Sequence, residues 1–473
     1  MQLTSLPRPQ GASTIARHHV CAVDRVSSAS YYIEKDVKDQ PCAVAMLRPA
    51  WAMPHSGLGI DLRNNRTDAP VRRMGGEISA KEVAMSAPLR FNAMHFMPYA
   101  HLPENHKDHK SLWVNFSNKH YDPRLGHELY DRYLRELVLA DELGYDAIVV
   151  NEHHNTVYSM MATPNLIAAA LVPQTKNAKI CVWGTPPNLM LPNRLAEEYA
   201  ILDVMSQGRL EVAFPLGTGM EYWANPVNPA TARERFREGL KIILQAWTQD
   251  GPTTHYGEFY TYRFLNPWPR PYQKPHPPCY IVGTGSPETI EIAAELGFGY
   301  ASVFVTQQRA YELNENLRQR AAHYGHTMRP DQFPLLTFVY VAETQEQAEK
   351  EYVEHLERFF SDCLRTTPQY LAPPGYLSVE QLKTRAAMAD KLHGGFNFEA
   401  ISQSFFIAVG SAEKVANQLG EWAQRMKTNH LNNVMHVADM PHWKTVKNLT
   451  LFAEEVIPRL RTRAGSAQRV AAE

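Results

Sequence analysis

A chain of 473 residues, 44% hydrophobic and 21% charged, is long and apolar enough to bury a sizeable soluble core. Its formal net charge of -1 offers no field for nucleic acid, an anionic membrane or an acidic substrate, and no apolar run approaches the ~20 residues of a membrane span. Five scattered cysteines, Cys21, Cys42, Cys181, Cys279 and Cys363, form no CxxC. That argues against a disulfide framework and a zinc ribbon, and suits a reducing cytosol.

Residues 1–87 mix Pro, Gly, Ser and Arg without a sustained helical or strand period. They read as an N-terminal extension that is disordered or absent from the mature protein, with Met85 as an alternative start. No hydrophobic core of a secretory signal stands there, so the chain reads as cytoplasmic.

From Leu89 onward short apolar runs alternate with amphipathic stretches. Strands are expected at 89–97, 147–150, 180–183, 210–214, 279–282, 300–305, 335–341 and 433–437. Helices are expected at 125–143, 193–205, 231–248, 287–296, 308–324, 344–360, 412–427 and 443–460. In the first of these helices Tyr130, Tyr133, Leu134, Leu137 and Ala140 share one face. Such alternation means parallel strands with crossover helices. Eight units without a GxGxxG after the first strand favour an α/β fold of the (β/α)8 TIM-barrel type over residues 88–461, followed by a tail at 462–473. An open doubly wound sheet is the alternative. Three long connections, 99–123, 250–278 and 361–398, read as insertions that form lids or binding loops.

The run Asn151-Glu152-His153-His154-Asn155 lies where the second strand stops. Strand C-termini are where a parallel barrel collects its catalytic side chains, and histidine beside a carboxylate can move protons near neutral pH. Val282-Gly283-Thr284-Gly285-Ser286-Pro287 leaves the fifth strand and opens a helix, an arrangement that exposes amides to an anion. Trp183-Gly184 and Pro215-Leu216-Gly217-Thr218-Gly219 end the third and fourth strands with room for a flat ligand. Histidines 95, 101, 106, 109 and 120 could suggest a metal. The first strand carries no HxH, however, so no metal is expected and most of these side chains read as solvated loop residues.

In this order the motifs carry a resemblance. They are Glu152-His153-His154, Asn165 before an Ala-rich helix, Ala196-Glu197-Glu198 leading to Asp203, and Ser206-Gln207-Gly208-Arg209. Gly219-Met220-Glu221-Tyr222, Gly283 to Ser286, and Val409-Gly410-Ser411-Ala412-Glu413 complete the set. From about Leu89 to Leu460 the chain resembles the bacterial luciferase-like, flavin-dependent monooxygenases. The resemblance implies a (β/α)8 barrel, often a homodimer, that binds reduced FMN supplied by a separate flavin reductase. It further implies that O2 is captured as a peroxyflavin and used to oxygenate a small apolar organic substrate. It makes His153 the acid/base or hydrogen-bonding group, positioned by His154 and Glu152. It assigns Gly283, Gly285, Ser286 and Thr289 to the flavin phosphate, Gly184 and Gly217 to the ring or ribityl chain, and Val303 to the neighbourhood of the ring. One departure is Leu216, where many relatives carry an arginine that helps hold the phosphate. The alternatives are a deazaflavin-dependent dehydrogenase on the same fold, a metal-dependent barrel hydrolase, and a non-catalytic flavin-binding barrel.

Overall fold

The computed structural model describes residues 88–377 and 397–462. The expected extension at 1–87, residues 463–473 of the tail, and the Gly394-Gly395 part of the third long connection lie outside the described residues.

Strands β1 (Arg90–Met94), β2 (Ala147–Asn151), β3 (Lys179–Trp183), β4 (Leu210–Pro215), β7 (Cys279–Gly283), β8 (Gly299–Ser302), β9 (Leu335–Val341), β10 (Ile407–Gly410) and β11 (His430–Val434) form one parallel sheet. Its order is β10-β9-β11-β1-β2-β3-β4-β7-β8. Because β8 also lies against β9, the sheet curls back on itself as a TIM-barrel-like fold. Helices α1 (Pro123–Glu142), α2 (Pro164–Leu171), α3 (Pro192–Met205), α4 (Glu221–Ala224), α5 (Ala232–Thr248) and α6 (Pro287–Leu296) serve the first strands. They continue with α7 (Gln307–His323), α8 (Gln345–Arg358), α9 (Pro368–Leu371), α10 (Phe398–Ser404), α11 (Ala412–Met426) and α12 (His442–Leu451).

Both faces of these strands are buried, which is why they read as continuous apolar runs. Side chains alternate: Val149, Cys181, Trp183, Ala213, Tyr280, Ala301 and Val434 fill the lumen, while Phe91, Ile148, Val150, Ile180, Val182 and Val212 pack outward under the helices. On α1 the expected stripe is buried at Tyr133, Leu137 and Ala140 and half-buried at Tyr130 and Leu134, with Leu129 buried beside it, each fully buried large residue adding about 1.5–3 kcal/mol. Asp122 caps that helix by accepting the Arg124 N–H at 2.8 Å, and Pro123 opens it.

Several elements differ from expectation, beginning with β1, which ends at Met94 instead of residue 97. The last strand runs over His430–Val434 instead of 433–437, because its polar members are buried: the Asn92 amide lies 2.7 Å from His430 Nε2 and 2.5 Å from Asn432 Oδ1. A polar barrel floor hides the strand from any hydrophobicity pattern. Ile407–Gly410, expected only as the approach to a helix, is strand β10, paired with Phe338 to Val341 of β9. The connection at 250–278 contains an antiparallel hairpin, β5 (Thr253–Tyr256) with β6 (Thr261–Leu265). Strand β8 stops at Ser302, before Phe304 takes a left-handed φ of 52°.

Candidate active site

The chain leaves β2 at Asn151 and turns at Asn155, whose φ is 50°. Between them His153 Nδ1 lies 2.9 Å from Oε1 of Glu221. The other carboxylate oxygen of Glu221 accepts the His154 backbone N–H at 3.2 Å. Glu221 opens α4, just beyond the glycine-rich end of β4, and is 3% exposed. One buried carboxylate therefore holds both the ring and the backbone of the His-His pair. A carboxylate accepts, so Nδ1 of His153 carries the proton and Nε2 is left to exchange one with a ligand. The edges of Trp113 and Tyr158 box the ring, with centroids at 5.3 and 4.7 Å.

His154 has a different partner, Glu152, with Nε2 to Oε1 at 3.1 Å. Burial raises the Glu152 carboxyl, and the bond to Glu152 raises His154 above its ordinary 6.5. A histidine raised in the folded state contributes stability that is complete below its unfolded value and fades as pH climbs through the folded value. The thermal-stability deficit of His154→Gln should therefore be widest below pH 6.5 and shrink as pH rises above it. Melting temperatures recorded across that range check this, and a gap that widens with pH would contradict the pairing.

Two long connections close over this end of the barrel. Trp113 Nε1 donates to Cys363 O at 2.5 Å, Leu112 N to Arg365 O at 3.0 Å, and Val114 N to Asn155 O at 2.8 Å. Val114 holds a φ of 65°, a costly position for a β-branched residue that persists because both flanks are pinned. The described part of the third connection rests on the turn after β4: Tyr376 hydroxyl donates to Gly217 O, and a Cβ on Gly219 would fall 1.9 Å from Leu371 O. The aromatic stretch 260–272 lies elsewhere. Tyr260 accepts from Arg235 of α5, and the loop then reaches the entrance of β4 through Gln273 and Leu210 O.

The expected phosphate residues come together. Ser286 caps α6 by accepting the Thr289 N–H, its hydroxyl lies 3.0 Å from Thr289 Oγ1, and Gly285 N donates to Tyr300 Oη at 2.9 Å. Val303 N bonds to Gly283 O at 3.1 Å, which places Val303 beside the turn. Gly285 needs its φ of 87°, and a Cβ there would also strike Leu313. Gly184 is demanded by the chain itself, since a Cβ would stand 2.6 Å from the Glu152 nitrogen. Gly217 lies under Leu189 and Tyr222.

Leu216 is buried and its carbonyl accepts the Tyr222 hydroxyl at 2.6 Å. Two cations flank the phosphate turn instead. Arg309 of α7 donates to Gly285 O at 3.4 Å. Arg233 of α5 sets Nε 3.7 Å from Glu288 on the first turn of α6, lies over the Tyr376 ring, and donates from Nη1 to Tyr376 O at 3.1 Å. Contacts thus run from His153 through Glu221 and Tyr222 to Tyr376, Arg233 and Glu288. Arg233, Arg309, Tyr300 and Trp113 were not singled out in the sequence, and Glu221 figured only inside a motif. Its signal was an acid placed directly after a glycine-rich strand end.

The loop histidines at 101, 106, 109 and 120 are at least partly exposed, whereas His95 is buried. His95, Glu136 and His436 bring potential ligand atoms within 4.8 Å of one another. Those atoms already have partners: His95 Nε2 meets Glu136 at 3.0 Å, Arg132 Nε donates to Glu136 at 2.8 Å, and His436 Nδ1 meets Thr445 at 2.9 Å. A guanidinium inside the cluster makes it a hydrogen-bonded network.

A parallel barrel that gathers a carboxylate-held histidine and a helix N-terminal anion cradle at its strand ends has the build of a barrel enzyme. A profile of the luciferase-like monooxygenases matches residues 111–429, and the chain belongs to that family. It is 26% identical over 240 residues to the oxygenase component of the flavin-dependent trigonelline monooxygenase of Acinetobacter baylyi (strain ATCC 33305 / BD413 / ADP1), covering 48% of this chain and 64% of that relative. Two solved structures share the fold. The oxygenating constituent of 3,6-diketocamphane monooxygenase from Pseudomonas putida, in complex with FMN, superposes with a TM-score of 0.59 at 20% identity, covering 78% of this chain and 99% of that one. An F420-dependent secondary alcohol dehydrogenase in complex with an F420-acetone adduct gives 0.57 at 18% identity, covering 79% and 99%. Among the described residues no helix is long and apolar enough to cross a membrane.

Proposed function

We propose that this protein is the oxygenase of a two-component, FMN-dependent monooxygenase that acts on a small apolar organic substrate. The observation that carries the reading is the His153–Glu221 pair at the mouth of a barrel whose α6 N-terminus faces two guanidinium groups. The donor set fits a phosphate: the N-terminus of α6, the hydroxyls of Ser286 and Thr289, and the charges of Arg233 and Arg309. These two cations would take over from the arginine that Leu216 replaces. The chemistry that reduced FMN supplies when bound is electron transfer to dioxygen, and the protein's share is placement and exclusion of water. Glu221 fixes the ring of His153, whose Nε2 gives or takes the proton at the reacting centre. Trp113 and the residues around Cys363 shield that point from solvent.

On its other side His153 lines a cavity of about 620 Å³ with Tyr99, Leu112, Phe116, Tyr130 and Met160. Its size and mostly apolar walls suit a small organic molecule. The named relative acts on trigonelline, and the lining here sets its aromatic and aliphatic side chains beside Asn115, Asn118, His120 and Ser159. A second copy of the chain is part of the reading, since Leu166, Ile201, Val204 and Met205 of α2 and α3 are exposed. A deazaflavin-dependent dehydrogenase is the second reading, favoured by Leu216 alone.

Anaerobic titration with reduced FMN, followed by rapid mixing with oxygenated buffer, tests the proposal. Binding, together with reoxidation kinetics distinct from those of free reduced FMN, is expected. Binding of a reduced deazaflavin in place of FMN, with no effect on oxygen consumption, would transfer the assignment to the dehydrogenase.

A further inference from the structure

Among the described residues, the buried polar atoms that meet no hydrogen-bond partner include two at neighbouring strand ends in the barrel lumen, Oδ1 of Asn151 and Nε1 of Trp183. Asn151 ends β2, Trp183 ends β3, and the sheet register makes them direct neighbours. Each residue is 4% exposed. Val149 and Cys181, two positions earlier on the same strands, belong to the lumen cluster along with Trp183, so strand alternation points Asn151 inward as well. An acceptor and a donor therefore stand side by side, removed from water and unsatisfied by each other. Buried polar groups in folded proteins are nearly always paired, and an exception calls for an explanation. Here the explanation lies in their position. Glu152 and His153 follow Asn151 directly, and Gly184 follows Trp183 with its backbone pressed against Glu152.

We propose that Asn151 and Trp183 read the imide edge of the cofactor ring, a step that rests on the flavin reading above. The pyrimidine half of an isoalloxazine presents an N–H flanked by two carbonyls. Asn151 Oδ1 accepts that N–H, and Trp183 Nε1–H donates to an adjacent carbonyl. The indole nitrogen can only donate, so the pair is complementary to a donor-acceptor edge and leaves a group that only accepts, such as a phosphate, with nothing to offer Asn151. The phosphate would be held at α6 and the imide at the ends of β2 and β3, two anchors on different strands of one barrel mouth. Both residues bind and orient the ring, and neither moves a proton.

The test is equilibrium binding under anaerobic conditions, using reduced FMN and its 3-methyl derivative, which lacks the imide N–H. The parent protein should bind FMN about tenfold more tightly than the methylated analogue, the difference one buried hydrogen bond makes. Asn151→Leu should bind both alike, at the weaker level. Trp183→Phe keeps the ring, loses the donor, and should weaken both ligands together while preserving the preference for FMN. Equal binding of the two ligands by the parent overturns the inference and leaves the flavin reading standing. Persistent discrimination by Asn151→Leu overturns it too, because bulk alone would then be the cause. Failure of the parent to bind reduced FMN at all overturns the flavin reading and this inference with it. The comparison on the parent needs no variant to fold.

Discussion

His153→Ala should lower substrate turnover by about 10²- to 10⁴-fold, the range associated with removing a positioned acid/base group, while reduced-flavin affinity stays nearly unchanged. The two effects separate because the proposed phosphate anchor lies on α6, whereas His153 leaves β2 on the far side of Glu221. Alanine also removes the partner of a buried carboxylate, so a second substitution identifies the source of the loss. Glu221→Gln retains an oxygen that can accept from Nδ1 but removes the charge that stabilises a protonated ring. Its turnover should fall by less than that of His153→Ala, with a changed pH profile and unchanged flavin binding. Steady-state rates at saturating substrate, beside flavin titrations of each variant, make the comparison. Turnover by His153→Ala at the parent rate would remove His153 from the mechanism.

Glu136→Ala should destabilise the fold by about 3–5 kcal/mol, the usual penalty for removing one partner of a buried ion pair. Glu136 of α1 is 1% exposed, yet it accepts from Arg132 Nε at 2.8 Å, lies 3.0 Å from His95 Nε2, and lies 2.7 Å from His442 Nδ1. It therefore ties α1 to the ends of β1 and to the start of α12. Burial works against its charge, but the bond from His95 and the Arg132 guanidinium outweigh that and hold the carboxyl well below its ordinary 4.5. Burial keeps His436 below its ordinary value, uncharged at neutral pH. A depressed carboxylate contributes stability above its unfolded value and loses it as pH falls through the folded value. The parent-variant gap should hold from pH 5 to pH 8 and close only in strong acid. Asp131→Asn on the exposed face of the same helix, where Asp131 pairs with Arg135, should cost at most about 1 kcal/mol. Urea midpoints at pH 7 and pH 4 measure both, and a Glu136→Ala loss no larger than that of Asp131→Asn would show that the network is dispensable.

Much of the architecture was legible because a parallel barrel buries both faces of each strand and one stripe of each helix. The run at 147–150 and the stripe from Tyr130 to Ala140 carry that pattern openly. The pattern failed where polarity is buried. His430, Asn432 and Asn433 form a strand in the barrel floor, and hydrophobicity cannot announce it. The hairpin at Thr253–Tyr256 and Thr261–Leu265 was obscured for the opposite reason: most of its side chains are exposed, only His255 and Leu265 are buried, and it is tied to α5 through His255 and Glu238.

At the site, the order of short motifs was enough to place His153 at a strand end and Ser286 at a helix start, because both positions depend on local chain geometry. Nothing local joins residue 153 to residue 221, or residue 233 to residue 288. Those pairs exist because β2 lies two strands from β4, and because α5 packs beside α6 at the same end of the barrel. The sequence by itself determined the alternation of elements, the family and the titratable run after β2. Only the curled sheet decided that His153 answers to Glu221, whereas His154 finds Glu152 within its own loop, and that the cations near the phosphate turn come from Arg233 and Arg309. Side-chain partners separated by tens of residues are set by which strand ends meet, and that is a property of the folded barrel rather than of any segment within it.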